Sequence, residues 1–255
     1  LQGVTKAIAP LLSKFQNDIR LNEDLFKRIQ FVYKNEDRKI LNTEQTTLLE
    51  KEYKGFVRNG ALLDGKAKIK LRNIDMQLAE LSLKFGENVL ADTQNYQLHI
   101  KNRKKLKGLP ISSIEMAESI AKNENKKGWI FTLDYPSYVP FITYADDRKL
   151  RKEINLAFSN RGFRENENNN TNIILQIIEL RQKRASLLGY SSHANFVLEE
   201  RMAESEENVQ NLLDDLTKKS NPFAKKEWAS MQAFAKEYLN IEKIEKWDFA
   251  FVSEK

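Results

Sequence analysis

A mainly α fold, an elongated multi-helix bundle with one small two-stranded β ribbon, is what this sequence predicts. Three observations carry the prediction. Most of the chain repeats apolar residues at steps of three and four, the period of a helix with one apolar stripe. Only two short stretches alternate or crowd apolar residues as strands do. And 9 Gly and 5 Pro among 255 residues leave few turns for an all-β fold.

The elements follow in order. Val4, Ile8, Leu11, Leu12 and Phe15 give a helical face over 3–18, with Pro10 as a kink or a late start. Asn22 caps the next helix, whose Glu23 and Asp24 favour the positive end of the helix dipole; Leu25, Ile29 and Val32 share a face. Asn42 followed three residues later by Gln45 is a capping box for a helix over 43–59, which Gly60 stops. There Leu49, Tyr53 and Phe56 line one side. The clearest pattern is 66–90, where Ala67, Leu71, Ile74, Leu78, Leu81 and Phe85 recur at steps of four and three. This predicts a bundle helix of about 35 Å at 1.5 Å per residue.

The period then changes. Tyr96, Leu98 and Ile100 alternate with Gln97 and His99, so 96–100 reads as a strand with one wet face. Trp129 to Leu133 has strand character and is its expected partner. Between them lie a basic turn over 101–110 and a helix starting at Ser112 or Ser113 and ending near Asn123. Tyr135-Pro136 and Val139-Pro140 read as a bent connection, because Pro fixes φ and pushes the preceding residue out of the helical region. Asp146 and Asp147 offer caps to a helix from Arg148 to Arg161, stopped by Gly162. The polar tract RENENNNTN at 164–172 is a loop. Ile173, Ile177, Leu180 and Leu187 make the next helix, ended by Gly189, and Ser191 or Ser192 caps 193–201. Glu204 to Tyr238 is one kinked helix or two collinear ones, interrupted at Asn221-Pro222. Trp247-Asp248-Phe249 begins a core-directed helix. Sub-bundles over 1–93 and 112–255, joined by 94–111, are the expected organisation.

Totals narrow the function. The formal net charge is +6; residues 1–127 carry 24 Lys/Arg against 16 Asp/Glu, and 128–255 carry 18 against 20. Much of the excess is Lys101, Arg103, Lys104, Lys105 and Lys107, which reads as a solvated turn or, alternatively, as a surface for an acidic protein or nucleic acid. Zero Cys removes disulfide and thiolate chemistry. No apolar run reaches the roughly 18–20 residues of a membrane span. The chain opens without Met and closes at WDFAFVSEK, and reads as a piece of something longer.

Catalytic constellations are sparse. The two histidines, His99 and His193, lie 94 positions apart. Neither is followed by Glu or by a second His four residues on, so H-E-x-x-H is absent. His99 reads as a surface residue on the wet strand face and His193 as a first-turn helix residue. Ser191, Ser192 and Ser205 lack an elbow-like Gly-x-Ser-x-Gly setting. Asp146-Asp147, Glu199-Glu200, Glu206-Glu207 and Asp214-Asp215 are sequence neighbours, which on a helix point about 100° apart and form no shared-proton pair. LLGYSS at 187–192 lacks the Lys and spacing of a phosphate loop. The site therefore has no catalytic and no metal-ligating residue. The remaining candidates are Tyr135 and Tyr138, at the centre of six aromatics between Trp129 and Tyr144; an apolar ring with a polar tip suits a bound peptide. Packing between helical layers is the other reading of the same pair.

The stretch GWIFTLDYPSYVPFITYADDRKLRKEI, with LLEKEYKGFVRNGALL at 48–63, LAELSLKFGENVLADT at 78–93, ILQIIELRQKRASLLGYSSHANFVLEERMA at 174–203 and WDFAFVSEK at 247–255, resembles the N-terminal helical region of zinc metallopeptidases of the thimet oligopeptidase and peptidyl-dipeptidase family. The resemblance implies a larger, mostly helical enzyme that cuts short peptides in a deep channel. This chain would form one wall of that channel and be inactive alone. Zinc, H-E-x-x-H and a further Glu ligand are implied for a catalytic half not represented here. Short peptides and that half are the implied partners, with no nucleic acid or membrane. A cytoplasmic setting is implied, or a periplasmic one if a leader was removed.

Overall fold

The computed structural model describes residues 2–35 and 37–255. Among them the chain is mainly α. Eleven α-helices run α1 (Gln2–Arg20), α2 (Glu23–Asn35), α3 (Thr43–Arg58), α4 (Gly65–Gln94), α5 (Ile111–Asn123), α6 (Tyr135–Tyr144), α7 (Arg148–Ser159), α8 (Thr171–Leu187), α9 (His193–Leu198), α10 (Glu206–Leu239) and α11 (Phe249–Glu254). Strands β1 (Leu98–Ile100) and β2 (Trp129–Phe131) pair antiparallel, with Leu98 opposite Phe131 and Ile100 opposite Trp129. The chain divides into two compact units, 1–85 with 172–210 and 86–171 with 211–255. The 94–111 stretch expected to join two sub-bundles lies inside the second unit. Two divisions fall within α4 and α10, where continuous helical sequence carries no linker signature; the third falls at the start of α8, where the polar tract ends.

The first unit is built from local signals and two arginines. Asn42 and Gln45 form the reciprocal capping box at the start of α3, each side-chain oxygen accepting the other residue's backbone N–H at 2.9 and 3.0 Å. Phe26, Phe56 and Ala61 form a small core with Ile29, Tyr53 and Val57 against it. Leu25 and Val32, which share a face with Ile29, are exposed, and the buried residue of α2 is Phe26. Arg58 donates to the Tyr190 hydroxyl and the Phe196 carbonyl, pairs with Glu199, and lies over the Phe196 ring. Arg184 pairs with Asp75 at 2.7 Å.

The second unit holds the larger core: Leu98, Ile100 and Phe131 from the ribbon, Ala117 from α5, Tyr138, Phe141 and Ile142 from α6, and Leu150, Ile154 and Ala157 from α7. The basic turn is a short 3-10 segment, Arg103–Leu106, capped by the Asn102 side chain. Gly108 ends it with φ +89; a Cβ there would lie 2.2 Å from the Tyr144 carbonyl oxygen, so only Gly lets the turn close on the end of α6.

Several expectations need correction. Tyr135 to Pro140 is helix, not a bent connection. Pro136 sits in the first turn, where no N–H is needed. Pro140 forfeits one backbone bond, while the next two residues, Phe141 and Ile142, are buried. Helix α5 starts at Ile111 without a serine cap, and Ser113 is buried inside it. Helix α7 ends at Ser159, two residues earlier than expected, and Gly162 instead takes φ +73 in the loop beyond. That loop is not merely polar surface: Asn168 and Asn170 are buried.

Candidate functional site

The aromatic candidates stand on α6 and α7. Asp147 caps α7 by accepting the N–H groups of Lys149 and Leu150. That fixes the helix so that Leu150, Arg151, Ile154, Asn155 and Ala157 face inward. Tyr138 is buried and lies flat on Phe158, ring centroids 4.0 Å apart and planes 8° apart. Its hydroxyl accepts from the Asn155 side-chain amide at 3.0 Å. Burial is the main influence raising its pKa above 10, so the phenol stays neutral. Tyr135 meets the same Phe158 edge-on at 5.9 Å and is 68% exposed. On the other flank the Arg161 guanidinium lies 3.7 Å from the Phe158 ring centre while its Nε donates to the Phe158 carbonyl. The structure thus gathers Tyr135, Tyr138, Phe158 and Arg161 about one ring. Of the two tyrosines, Tyr135 presents its ring and hydroxyl to solvent; Tyr138 commits its hydroxyl internally.

Asn155, Phe158 and Arg161 were not singled out in the sequence. Asn155 and Phe158 are three apart on α7 and so share a face, but nothing in the sequence ties that face to α6. The same holds for the joint that closes this side of the unit. Asp248, fully buried, accepts from Arg148 and from Arg151 Nη2 at 2.9 Å, and from the Glu245 N–H. Arg151 is itself buried, donates to the Ala145 carbonyl at 2.7 Å and lies 3.9 Å from the centre of the Phe251 ring. Burial pushes the Asp248 pKa upward, but the bonds from Arg148 and Arg151 outweigh it and hold the carboxyl below its usual 3.8. Of Trp247-Asp248-Phe249, Asp248 turns fully inward through a buried ion pair and Trp247 packs partly against the core, while Phe249 stays exposed.

The histidines take structural places. His99 is half-buried with its Nε2 2.8 Å from the Lys127 carbonyl oxygen. His193 follows the capping Ser192; its Nδ1 is buried without a partner. Its pKa is lowered, first by burial and then by Arg181 and Arg184. The two belong to different units, and among the described residues no three His, Asp or Glu side chains group so as to hold a metal. Lys101, Arg103, Lys104 and Lys105 are exposed, while Lys107 approaches Asp146 at 3.4 Å. Among the described residues no helix is long and apolar enough to cross a membrane.

Residues 141–255 match the model of peptidase family M3. The chain is 32% identical over 250 residues to oligopeptidase A of Salmonella typhimurium, aligning 96% of itself with 37% of that protein. It is 27% identical to dipeptidyl carboxypeptidase of Escherichia coli, over all of itself and 37% of the relative, and 32% identical to saccharolysin of Saccharomyces cerevisiae, over 87% of itself and 30% of the relative. The chain thus spans about a third of the length of these curated relatives. By these matches it belongs to peptidase family M3, the family of the thimet oligopeptidases and peptidyl-dipeptidases.

Proposed function

We propose that the chain is the N-terminal helical part of a zinc-dependent oligopeptidase or peptidyl-dipeptidase, that it lines one wall of the channel admitting short peptides, and that it is inactive alone. One observation carries the reading. Nearly all of the chain aligns with oligopeptidase A while covering 37% of that protein. The absence of H-E-x-x-H from the sequence agrees with chemistry placed elsewhere. In this reading Tyr135 is the residue offered to a passing peptide, and Tyr138 with Asn155 fixes the Phe158 ring against which it rests. The metal ligands and the general base belong to a catalytic half outside these residues, and a cytoplasmic setting is part of the same proposal.

The test is the coding sequence beyond codon 255. An H-E-x-x-H within about 250 codons, with a Glu ligand following, supports the reading. A stop codon directly after Lys255 removes it. The exposed side chains of Lys101, Arg103, Lys104 and Lys105 favour one alternative, a binding module for an acidic protein or nucleic acid. That alternative requires salt-sensitive binding lost on Lys104→Glu with Lys105→Glu.

A further inference from the structure

Helix α10 is covered only near its end. Every residue from 211 to 230 is exposed, although the segment includes Leu212 (59%), Leu213 (52%), Leu216 (51%), Phe223 (70%) and Trp228 (44%). At about 100° per residue, these five lie with Met231, Phe234 and Ala235 inside one arc of about 160°. Over 231–239 that face is covered: Ala235, Met231, Phe234 and Leu239 pack with Ile241, Ile244, Phe251 and Val252. Upstream the same stripe continues uncovered. Trp228 carries it onto α11 by stacking with Phe249, itself 51% exposed, at 6.3 Å and 14°. A groove of about 660 Å³ runs alongside, lined by Phe223, Glu227, Met231, Phe234 and Val252.

A helix in this state is poorly supported by its own sequence. Asn211, Thr217, Ser220 and Asn221 are weak helix formers, and Pro222 inside the helix costs about 3 kcal/mol relative to Ala. Isolated helices are marginal in water without a packed face. Contiguous exposed apolar surface marks an interaction site.

We propose that the apolar stripe of α10 from Leu212 to Trp228, together with the α11 edge at Phe249, is the docking surface for the metal-bearing remainder of the M3 peptidase. This rests on the function proposed above. The length of the relatives supplies the occupant, since the chain covers about a third of them. The stripe is also continuous with a face already used as core. Glu227 is the one charged residue inside the arc, and Lys226 and Lys255 line the groove beside it. The fitting partner is therefore a mainly apolar face.

Hydrogen exchange resolved by peptide tests this on the 1–255 chain and on the chain extended through its downstream codons. Amides of 211–230 exchange at close to unprotected rates in 1–255 and slow by about tenfold or more in the extended chain. Phe223→Glu leaves the melting of 1–255 unchanged, because the ring is exposed there, and removes that protection in the extended chain. An extended chain that carries H-E-x-x-H and cleaves peptides, yet exchanges 211–230 as fast as 1–255, overturns the docking surface and leaves the functional reading intact. A 1–255 dimer already protected over 211–230 overturns it in favour of a second copy. An extension without H-E-x-x-H sinks the functional reading, and the occupant with it.

Discussion

Two buried aspartates hold the second unit together, and they do so by different chemistry. Asp248 is answered by charge: Arg148 and the fully enclosed Arg151. Asp92, 2% exposed near the end of α4, is answered by neutral donors: the Gly162 N–H at 2.8 Å, the Asn168 amide at 2.9 Å and the Asn166 amide at 3.0 Å. It organises the asparagine-rich loop, in which Asn88 also donates to Asn170 at 2.9 Å. Burial pushes the Asp92 pKa up, and the bonds from Gly162, Asn168 and Asn166 outweigh it, so this carboxyl too lies below 3.8. The outcome is the same anionic carboxylate. The consequence of losing it is not, because at one site a cation is left behind and at the other only amides are.

Isosteric replacement separates the two. Asp248→Asn strands the Arg151 guanidinium in the interior and is expected to cost about 3–5 kcal/mol in urea unfolding, the loss typical of breaking a buried pair from one side. A loss under about 1 kcal/mol would show that the pair is not sealed from water. Asp92→Asn turns an acceptor-only group into one that also presents N–H donors to three donors, for a smaller cost of about 1–3 kcal/mol by the same measurement. If the two costs come out equal, charge does not distinguish the sites.

Acid titration sharpens the contrast. Both carboxyls have folded-state pKa values below the unfolded value, so their stabilisation is complete above about pH 4 and is lost as the pH falls through the folded values. Wild-type stability should therefore fall on acidification below about pH 4. Asp248→Asn and Asp92→Asn should each flatten that fall, and an unchanged slope in both variants would contradict the account. His193 has the same sign at higher pH. Its pKa, lowered by burial, Arg181 and Arg184, makes the fold lose stability as the pH drops below about 6.5, and His193→Gln should abolish that part of the profile.

The smallest expected effects concern the aromatic candidates. Tyr138→Phe leaves the Asn155 amide without its acceptor and should cost about 1 kcal/mol. Tyr135→Phe, at an exposed hydroxyl, should stay within about 0.5 kcal/mol. Equal costs would mean that the two hydroxyls are equally buried in solution.

The same pair of aspartates explains what the sequence shows and what it hides. The capping box of Asn42 and Gln45, the Asp147 cap and the pairing of a strand within 96–100 with one within 129–133 rest on residues close in sequence or on local strand patterns, and all are present. Asp92 meets Asn168 across 76 positions and Asp248 meets Arg151 across 97. No periodicity links such residues, and in RKLRKE an inward arginine has the same appearance as its solvated neighbours. The reading of Tyr135 to Pro140 fails for a different reason. Two prolines argue against helix locally, and burial of Phe141 and Ile142 overrides them. Tyr135 and Tyr138 were legible as an aromatic cluster, but not which of them faces water. That choice is made by Asn155 and Phe158 on another helix. The family resemblance was legible because its segments recur in order along most of the chain.

We propose that this chain belongs to a peptidase whose chemistry lies outside it. The most direct measurement is hydrolysis of a short internally quenched peptide by purified 1–255, shown to be folded by circular dichroism, with and without added zinc. No turnover above the uncatalysed background is expected in either condition. Zinc-dependent cleavage that co-purifies with the chain and disappears on His193→Gln or His99→Gln would contradict it, and would place a catalytic centre among residues read here as structural.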